Sequence, residues 1–425
     1  MLGYSWVTSR LIIFSRNQIT GWLFFLTQFL GVDFSLSQTI NIEQSRLLYS
    51  ISPVYDFKRG IVSITFDDGY SSQFGLGLRA LNRFNFPATL YLVSDFIDSA
   101  KAIELKRNLP FEHEIGSHSK HHYHLKSIEN NCLIEEIYGS SYQLEKLLER
   151  RVLTFAYPWG EFNQNIKSTV AKFYIASRSA NLGYYWLDRI DYYGLKVQAF
   201  NQGVESRTAD KWVDFAIKNR CWLVEMIHGL EGNGYLPLDS ADFVSHLEYI
   251  NEKKDDLWVA TVSDVIKYVS EASKTKVSCI NCSDSLYYLT IVDELNDSIY
   301  NQEISIEFRI PDDWQQVNVL GAELFKIKYS GGNSFALINV LPSENPITIE
   351  PKSFKELVSH NNIRWVYQGQ NPFVDKIRVA IYLPKVDDIS VNLIAFNGAV
   401  LVQGYQSNVA GDVEIFLPTS SLPEG

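Results

Sequence analysis

"IVSITFDDGY", residues 61–70, is the stretch on which the reading of this chain turns. Ile61–Phe66 is an apolar, β-branched and aromatic run of the kind that forms a buried strand. It stops at two adjacent carboxylates, Asp67 and Asp68, followed by Gly69. Burying either carboxylate costs several kcal/mol unless it is paired or holds a metal. Asp, Asp and Gly are also ordinary turn residues, so the surrounding sequence has to supply a partner before these two acquire a chemical meaning.

Outward from this strand the chain alternates. "SQFGLGLRALNRF" (72–84) has helical apolar spacing, Pro87 breaks it, and "ATLYLV" (88–93) reads as a second strand. "CLIEEIYGSSYQLEKLLER" (132–150) is an amphipathic helix with Leu133, Ile137, Leu144 and Leu148 near one face. Further strands are expected at 152–157, 173–177, 195–200 and 222–227, with a last helix near 262–272. Strand and helix in alternation over about two hundred residues predict an α/β fold with a parallel sheet, closed into a barrel. Near residue 273 the pattern changes. "LYYLTIV" (286–292), "ISIEFRI" (304–310), "ELFKIKY" (323–329) and "FALINV" (335–340) predict a small antiparallel sandwich over 277–352. A third, all-strand block over 362–425 contains "KIRVAIYLP", "ISVNLIAF" and "GDVEIFLP".

Composition narrows the function classes. The 425 residues are too many for one compact domain. A net charge of −11 argues against a nucleic-acid partner, because phosphate binding needs a basic face. In the N-terminal segment, 1–55, Arg10 and Arg16 precede the apolar "ITGWLFFLTQFLGV" (19–32), and Ser35 and Ser37 have signal-peptidase spacing. This predicts an export signal; an amphipathic helix packed on the domain is the alternative. Cys279-x-x-Cys282 is half a zinc motif without a second pair, so the four cysteines receive no role.

The partner for the aspartates lies in "HEIGSHSKHHYH" (113–124), which holds five of the eight histidines. His118 and His122 are four apart. Two neutral imidazoles and one carboxylate suit zinc and leave a position open for water. The neighbouring carboxylate is then free to accept a proton. Asp68 is expected to ligate and Asp67 to act as base.

These residues resemble the polysaccharide deacetylase (NodB-homology) family of carbohydrate esterases. The resemblance covers 56–272 and rests on four motifs in the family's order: "TFDDGY" (65–70), "HSKHH" (118–122), "AYPWG" (156–160) and "VEMIHG" (224–229). It implies a distorted (β/α) barrel that hydrolyses acetyl groups from an acetylated polysaccharide or oligosaccharide, N-acetyl in preference to O-acetyl, with a divalent metal, zinc. By position, Asp68, His118 and His122 hold the metal, and Asp67 is the base. The backbone N–H of Trp159 faces the oxyanion, and His228 protonates the leaving group. The family's fourth motif implies an aspartate for His228. "DRIDYY" (188–193) offers Asp191, with Asp188 as second choice.

One position departs from the family: Ala156 stands where many relatives have an arginine beside the base. Arg178, in "ASRSAN" just after a predicted strand, is expected to replace it. The departure also supports an alternative, a catalytically impaired carbohydrate-binding or adhesion protein on a deacetylase fold. An aspartyl-phosphate phosphatase is disfavoured, since it needs Asp-x-Asp. The 362–425 block resembles a type IX secretion sorting domain lacking its closing strand, with a carbohydrate-binding or spacer sandwich as the alternative. The sorting reading implies outer-membrane secretion machinery as a partner. It places the protein at the cell surface or outside the cell, with the periplasm as second choice.

Overall fold

Gly60–Asp68 forms strand β1, and every one of its residues is buried. Alternation decides what its two faces meet. Val62, Ile64 and Phe66 join an outer core with Leu78 and Leu81 of the helix Leu78–Phe84 and with Phe243 and Leu247 of the helix Ser240–Glu252. Each such side chain stabilises the fold by about 1.5–3 kcal/mol on full burial. Ser63, Thr65 and Asp67 take the opposite face, toward the interior of a barrel.

That barrel is made of parallel strands: β1, β2 (Ala88–Leu92), β3 (Glu114–Ser117), β4 (Thr154–Ala156), β5 (Ala176–Leu182), β6 (Leu195–Ala199) and β7 (Trp222–Ile227). Pairing of β7 with β1, Ile61 opposite Trp222 through Phe66 opposite Ile227, closes the seven. An eighth strand, β8 (Leu257–Val259), pairs with the first residues of β1. The barrel expected from the strand–helix alternation is therefore present.

Two local readings need correction. The strand expected at 173–177 begins at Ala176, because 171–174 complete the preceding helix, with the N–H of both Phe173 and Tyr174 donating to Val170 O at 3.0 Å. Arg178 consequently lies within β5 rather than after it. The helix expected at 132–150 runs from Asn130 to Leu148, but it is widened between its α-helical ends by a π-turn, Glu135–Gly139.

The structure is a computed structural model describing residues 10–15, 49–110, 112–283, 286–314, 316–351, 364–367, 376–394 and 400–418. It divides into two compact units, Gln44–Lys352 and Met1–Glu43 with Ser353–Gly425. In the first unit the barrel is followed by two four-stranded antiparallel sheets. One contains Lys276–Ser283, Leu286–Val292, Ser343–Pro351 and Val317–Leu320. The other contains Glu323–Ser330, Asn333–Val340, Ile304–Ile310 and Tyr49–Ile51. The last of these strands comes from ahead of the barrel, so the end of the 1–55 segment is built into the sandwich, pairing with Ile306–Phe308. The helix Val262–Lys274 joins the two parts: Val265 and Ile266 pack in a barrel core, while Tyr268 is buried in the sandwich core and donates to Ser52 O at 2.7 Å.

In the second unit the long strands Lys376–Ile394 and Val400–Pro418 pair antiparallel, and Arg364–Tyr367 and Arg10–Ser15 pair with the first of them. The apolar stretch 19–32 read as an export signal lies outside the described residues. Among the described residues no helix is long and apolar enough to cross a membrane.

Candidate active site

Parallel strands share one C-terminal face, and in barrels that face collects the reactive side chains. Here β1 ends on Asp67 and Asp68, β3 leads into His118 and His122, and β4 leads into Trp159. Asn201 follows β6 and His228 follows β7. Several of these sit where the backbone leaves its strand in the left-handed region: Asp68 at φ 75°, His122 at 61° and Trp159 at 62°. Non-glycine residues there cost of order 1–3 kcal/mol each, and such positions gather at functional sites.

Asp68, His118 and His122 each direct one ligand atom to a common point, with those atoms all within 4.8 Å of one another. Asp68 Oδ1 lies 3.6 Å from His118 Nε2 and 3.4 Å from His122 Nε2, and the two Nε2 atoms are 3.2 Å apart. The tautomer of His118 follows from its other nitrogen. Nδ1–H donates to Ala156 O at 2.8 Å, which leaves Nε2 as a lone pair. This arrangement, the second imidazole nitrogen bonded to a carbonyl, is the usual one for a metal-ligating histidine. Burial pushes the His118 imidazole down to about 3, so it stays neutral. Burial and then Asp67 raise the Asp68 carboxyl. Tyr70 also hydrogen-bonds Asp68. Two neutral imidazoles and a carboxylate fit a divalent cation of zinc type.

Asp67 is 2% exposed and faces inward. Arg178 Nη2 donates to its Oδ1, His228 Nε2 lies 3.8 Å from Oδ2 and His118 Nε2 4.0 Å from Oδ2. Burial alone would raise this carboxyl. Arg178, then His118 and His228, hold it below the usual carboxylate range instead. The position that departs from the family explains how the arginine arrives: Ala156 on β4 is in register with Arg178 on β5. The guanidinium therefore reaches the base from the adjacent strand. It packs 4.9 Å over the Tyr91 ring and donates through Nη1 to Ser179 O at 3.1 Å.

The structure does not bring Asp191 to His228. Both Asp191 oxygens accept from Lys167 Nζ at 2.6 Å. The reason is topological: Asp191 precedes β6, and its neighbour Tyr192 accepts from Ser177 N–H at the start of β5, so this loop lies at the opposite end of the barrel. Asp188 pairs with Arg189 on the surface. His228 Nδ1 instead lies 3.3 Å from Asn201 Oδ1. Asn201 was missed, yet it carries the same signal as Asp67 and His228, a polar residue just past a buried strand.

Gln73 was also missed. Its Nε2 donates to Asp67 O and, at 2.7 Å, to His228 O. Of the remaining clustered histidines, His113 is structural, accepting from Ala88 N–H at 3.0 Å. His121 and His124 contact carboxylates outside the ligand set. Trp159 lies over His122, ring centroids 5.0 Å apart, and its Nε1–H donates to His122 O at 3.2 Å.

Residues 55–176 match the polysaccharide deacetylase family model. The matched stretch includes Asp67, Asp68, His118, His122 and Trp159, while Arg178 and His228 lie beyond it. It is a polysaccharide deacetylase domain, and the enzyme reading of the sequence, a carbohydrate esterase, rests on it. No curated protein matches the chain. Similar solved structures include the Xyl-CE4 domain of a multidomain xylanase from the hindgut metagenome of Trinervitermes trinervoides, at 19% identity and TM-score 0.37, covering 49% of this chain and 90% of that one. A polysaccharide deacetylase from Bacillus cereus is 23% identical with TM-score 0.28, over 32% of this chain and 45% of that one. A CE4-family pseudoenzyme from Bacillus anthracis is 14% identical with TM-score 0.36, over 49% and 66%. At these scores the likenesses bear on no residue's role.

Proposed function

We propose that the barrel domain hydrolyses acetyl groups, N-acetyl in preference to O-acetyl, from a polysaccharide, and that a zinc-type divalent metal held by Asp68, His118 and His122 is required. The observation that carries this reading is the convergence of those three ligand atoms within 4.8 Å, beside a separate buried carboxylate held ionised by Arg178. When bound, the metal supplies a Lewis acid for the acetyl carbonyl and acidifies water.

The chain's own residues do the rest. Asp67 accepts the proton of the attacking water, a role that suits a carboxylate kept charged inside an apolar wall. The Trp159 N–H, which no other element engages, donates to the oxyanion as it develops. His228 gives its proton to the departing sugar nitrogen, with Asn201 holding Nδ1. Arg178 offsets the loss of arginine at Ala156, so the departure no longer favours an impaired protein. Export and a surface or extracellular location, with the C-terminal block addressing secretion machinery, are part of the same proposal. They suit an enzyme whose substrate is a glycan of the envelope or the surroundings.

The test is acetate release from a panel of acetylated glycans by protein loaded with zinc, then stripped and reloaded. Zinc-dependent release supports the reading. A protein that holds zinc stoichiometrically and releases no acetate from any of them overturns it.

A further inference from the structure

His121 and His124 are unused by the chemistry above, and each backs an exposed aromatic ring. Trp159 stacks on His124 at 4.7 Å and 12°. Tyr123 stacks on His121 at 5.0 Å and 12° and is 52% exposed. The His121 ring is fixed from both sides, with Nδ1 against Glu136 and Nε2 3.1 Å from Asp95 Oδ2. Its backbone N–H also donates to Glu136 Oε2 at 3.0 Å. An imidazole held at both nitrogens cannot turn, so the Tyr123 ring resting on it is presented in one orientation. An exposed aromatic ring with its face preset costs little ordering entropy when a ligand lies on it.

Tyr123 and His121 open a groove of about 410 Å³, walled by Ile128 and edged by Glu129, Asn131 and Glu135. That volume is within the range of small-molecule sites. The groove starts one residue to either side of His122, so it continues from the candidate metal site. An aromatic floor with polar edges matches a pyranose, which has an apolar C–H face and hydroxyls around its rim.

We propose that Tyr123, backed by His121, is the stacking platform for a sugar unit next to the one that loses its acetyl group, so that the enzyme prefers chains to short oligomers. This rests on the deacetylase reading for its substrate class.

The experiment compares wild type, Tyr123→Ala and Tyr123→Phe on matched short and long substrates, diacetylchitobiose against chitopentaose and acetylated xylobiose against acetylated xylopentaose. The ratio of kcat/KM, long over short, should fall about tenfold in Tyr123→Ala for at least one pair, through KM, and stay near wild type in Tyr123→Phe. Equal ratios in wild type and Tyr123→Ala, or an equal fall in Tyr123→Phe, overturn the platform. Calorimetric binding of each pentamer to the same three proteins gives a readout independent of turnover. Pentamer bound by wild type and about tenfold more weakly by Tyr123→Ala, without acetate release, keeps the platform and removes the deacetylase reading. Acetate release without length dependence does the reverse. A wild type that binds neither pentamer overturns the platform.

Discussion

Two buried histidine–carboxylate clusters lie within the barrel domain, and they are built to opposite ends. At the mouth, His118 gives its Nδ1–H to a backbone carbonyl and turns a bare Nε2 toward Asp68 and His122. Burial leaves it neutral. In the wall, His246 on the helix Ser240–Glu252 is wholly buried with a carboxylate on each nitrogen, Asp210 Oδ1 at 2.7 Å and Glu225 Oε1 at 2.8 Å. Burial pulls this imidazole down, but Glu225 and Asp210 overcome it and raise it to about 9. Glu225 is three residues from His228 on the same chain segment, so composition does not separate the clusters. The atom facing the second nitrogen does. A carbonyl leaves a ligand, whereas a carboxylate makes a cation that holds a helix to a strand.

The comparison breaks most visibly at His118. His118→Ala should remove the metal and abolish acetate release, measured by metal analysis and turnover; full metal occupancy in this variant would rule out the ligand set. Next comes the division of labour between the aspartates. Asp67→Asn should keep the metal and lose about 10²–10⁴ in kcat, because the water loses its proton acceptor. Asp68→Asn should instead weaken metal binding, and the reverse pattern would exchange their roles.

In the wall the effect is on stability. A histidine raised from about 6.5 unfolded to about 9 folded contributes about 3 kcal/mol. The sign follows from the raised value: the contribution is complete below about pH 6.5 and is lost as pH rises through about 9. Urea unfolding of His246→Gln should therefore lack the decline that wild type shows between pH 6.5 and 9. A parallel decline in both proteins would mean that His246 does not carry the charge.

The smallest effect is a displacement rather than a loss. Arg178→Met leaves Asp67 under burial as its largest influence, so its carboxyl rises and the acidic limb of kcat/KM moves to higher pH. Metal content should be unchanged. An unmoved limb would make Arg178 a packing residue only.

Much of the site was legible because each of its residues ends a strand. The change from an apolar run to a polar residue marks Asp67, Asp68, His118 and His228 in a single sequence. Arg178 could be anticipated from a gap, Ala156, although its position inside β5 was not. Asp191 failed because sequence places it near a strand without saying which end: it stands before β6, while Asn201 stands after it. His246 was unreadable for a different reason. A polar residue in a helix stripe declares no partner, and Asp210 and Glu225 are 36 and 21 residues away along the chain. The strand Tyr49–Ile51 is three residues long and pairs across more than 250 positions, a contact that local periodicity does not contain.

The side-chain amide of Gln73 spans the one place where the barrel's first and last strands meet. By donating to the carbonyls of both Asp67 and His228, it rivets the strand that presents the base to the strand that presents the acid. The barrel cannot part along that seam without giving up two hydrogen bonds at once. A glycan must then be admitted from outside, across a rim whose jaws do not open.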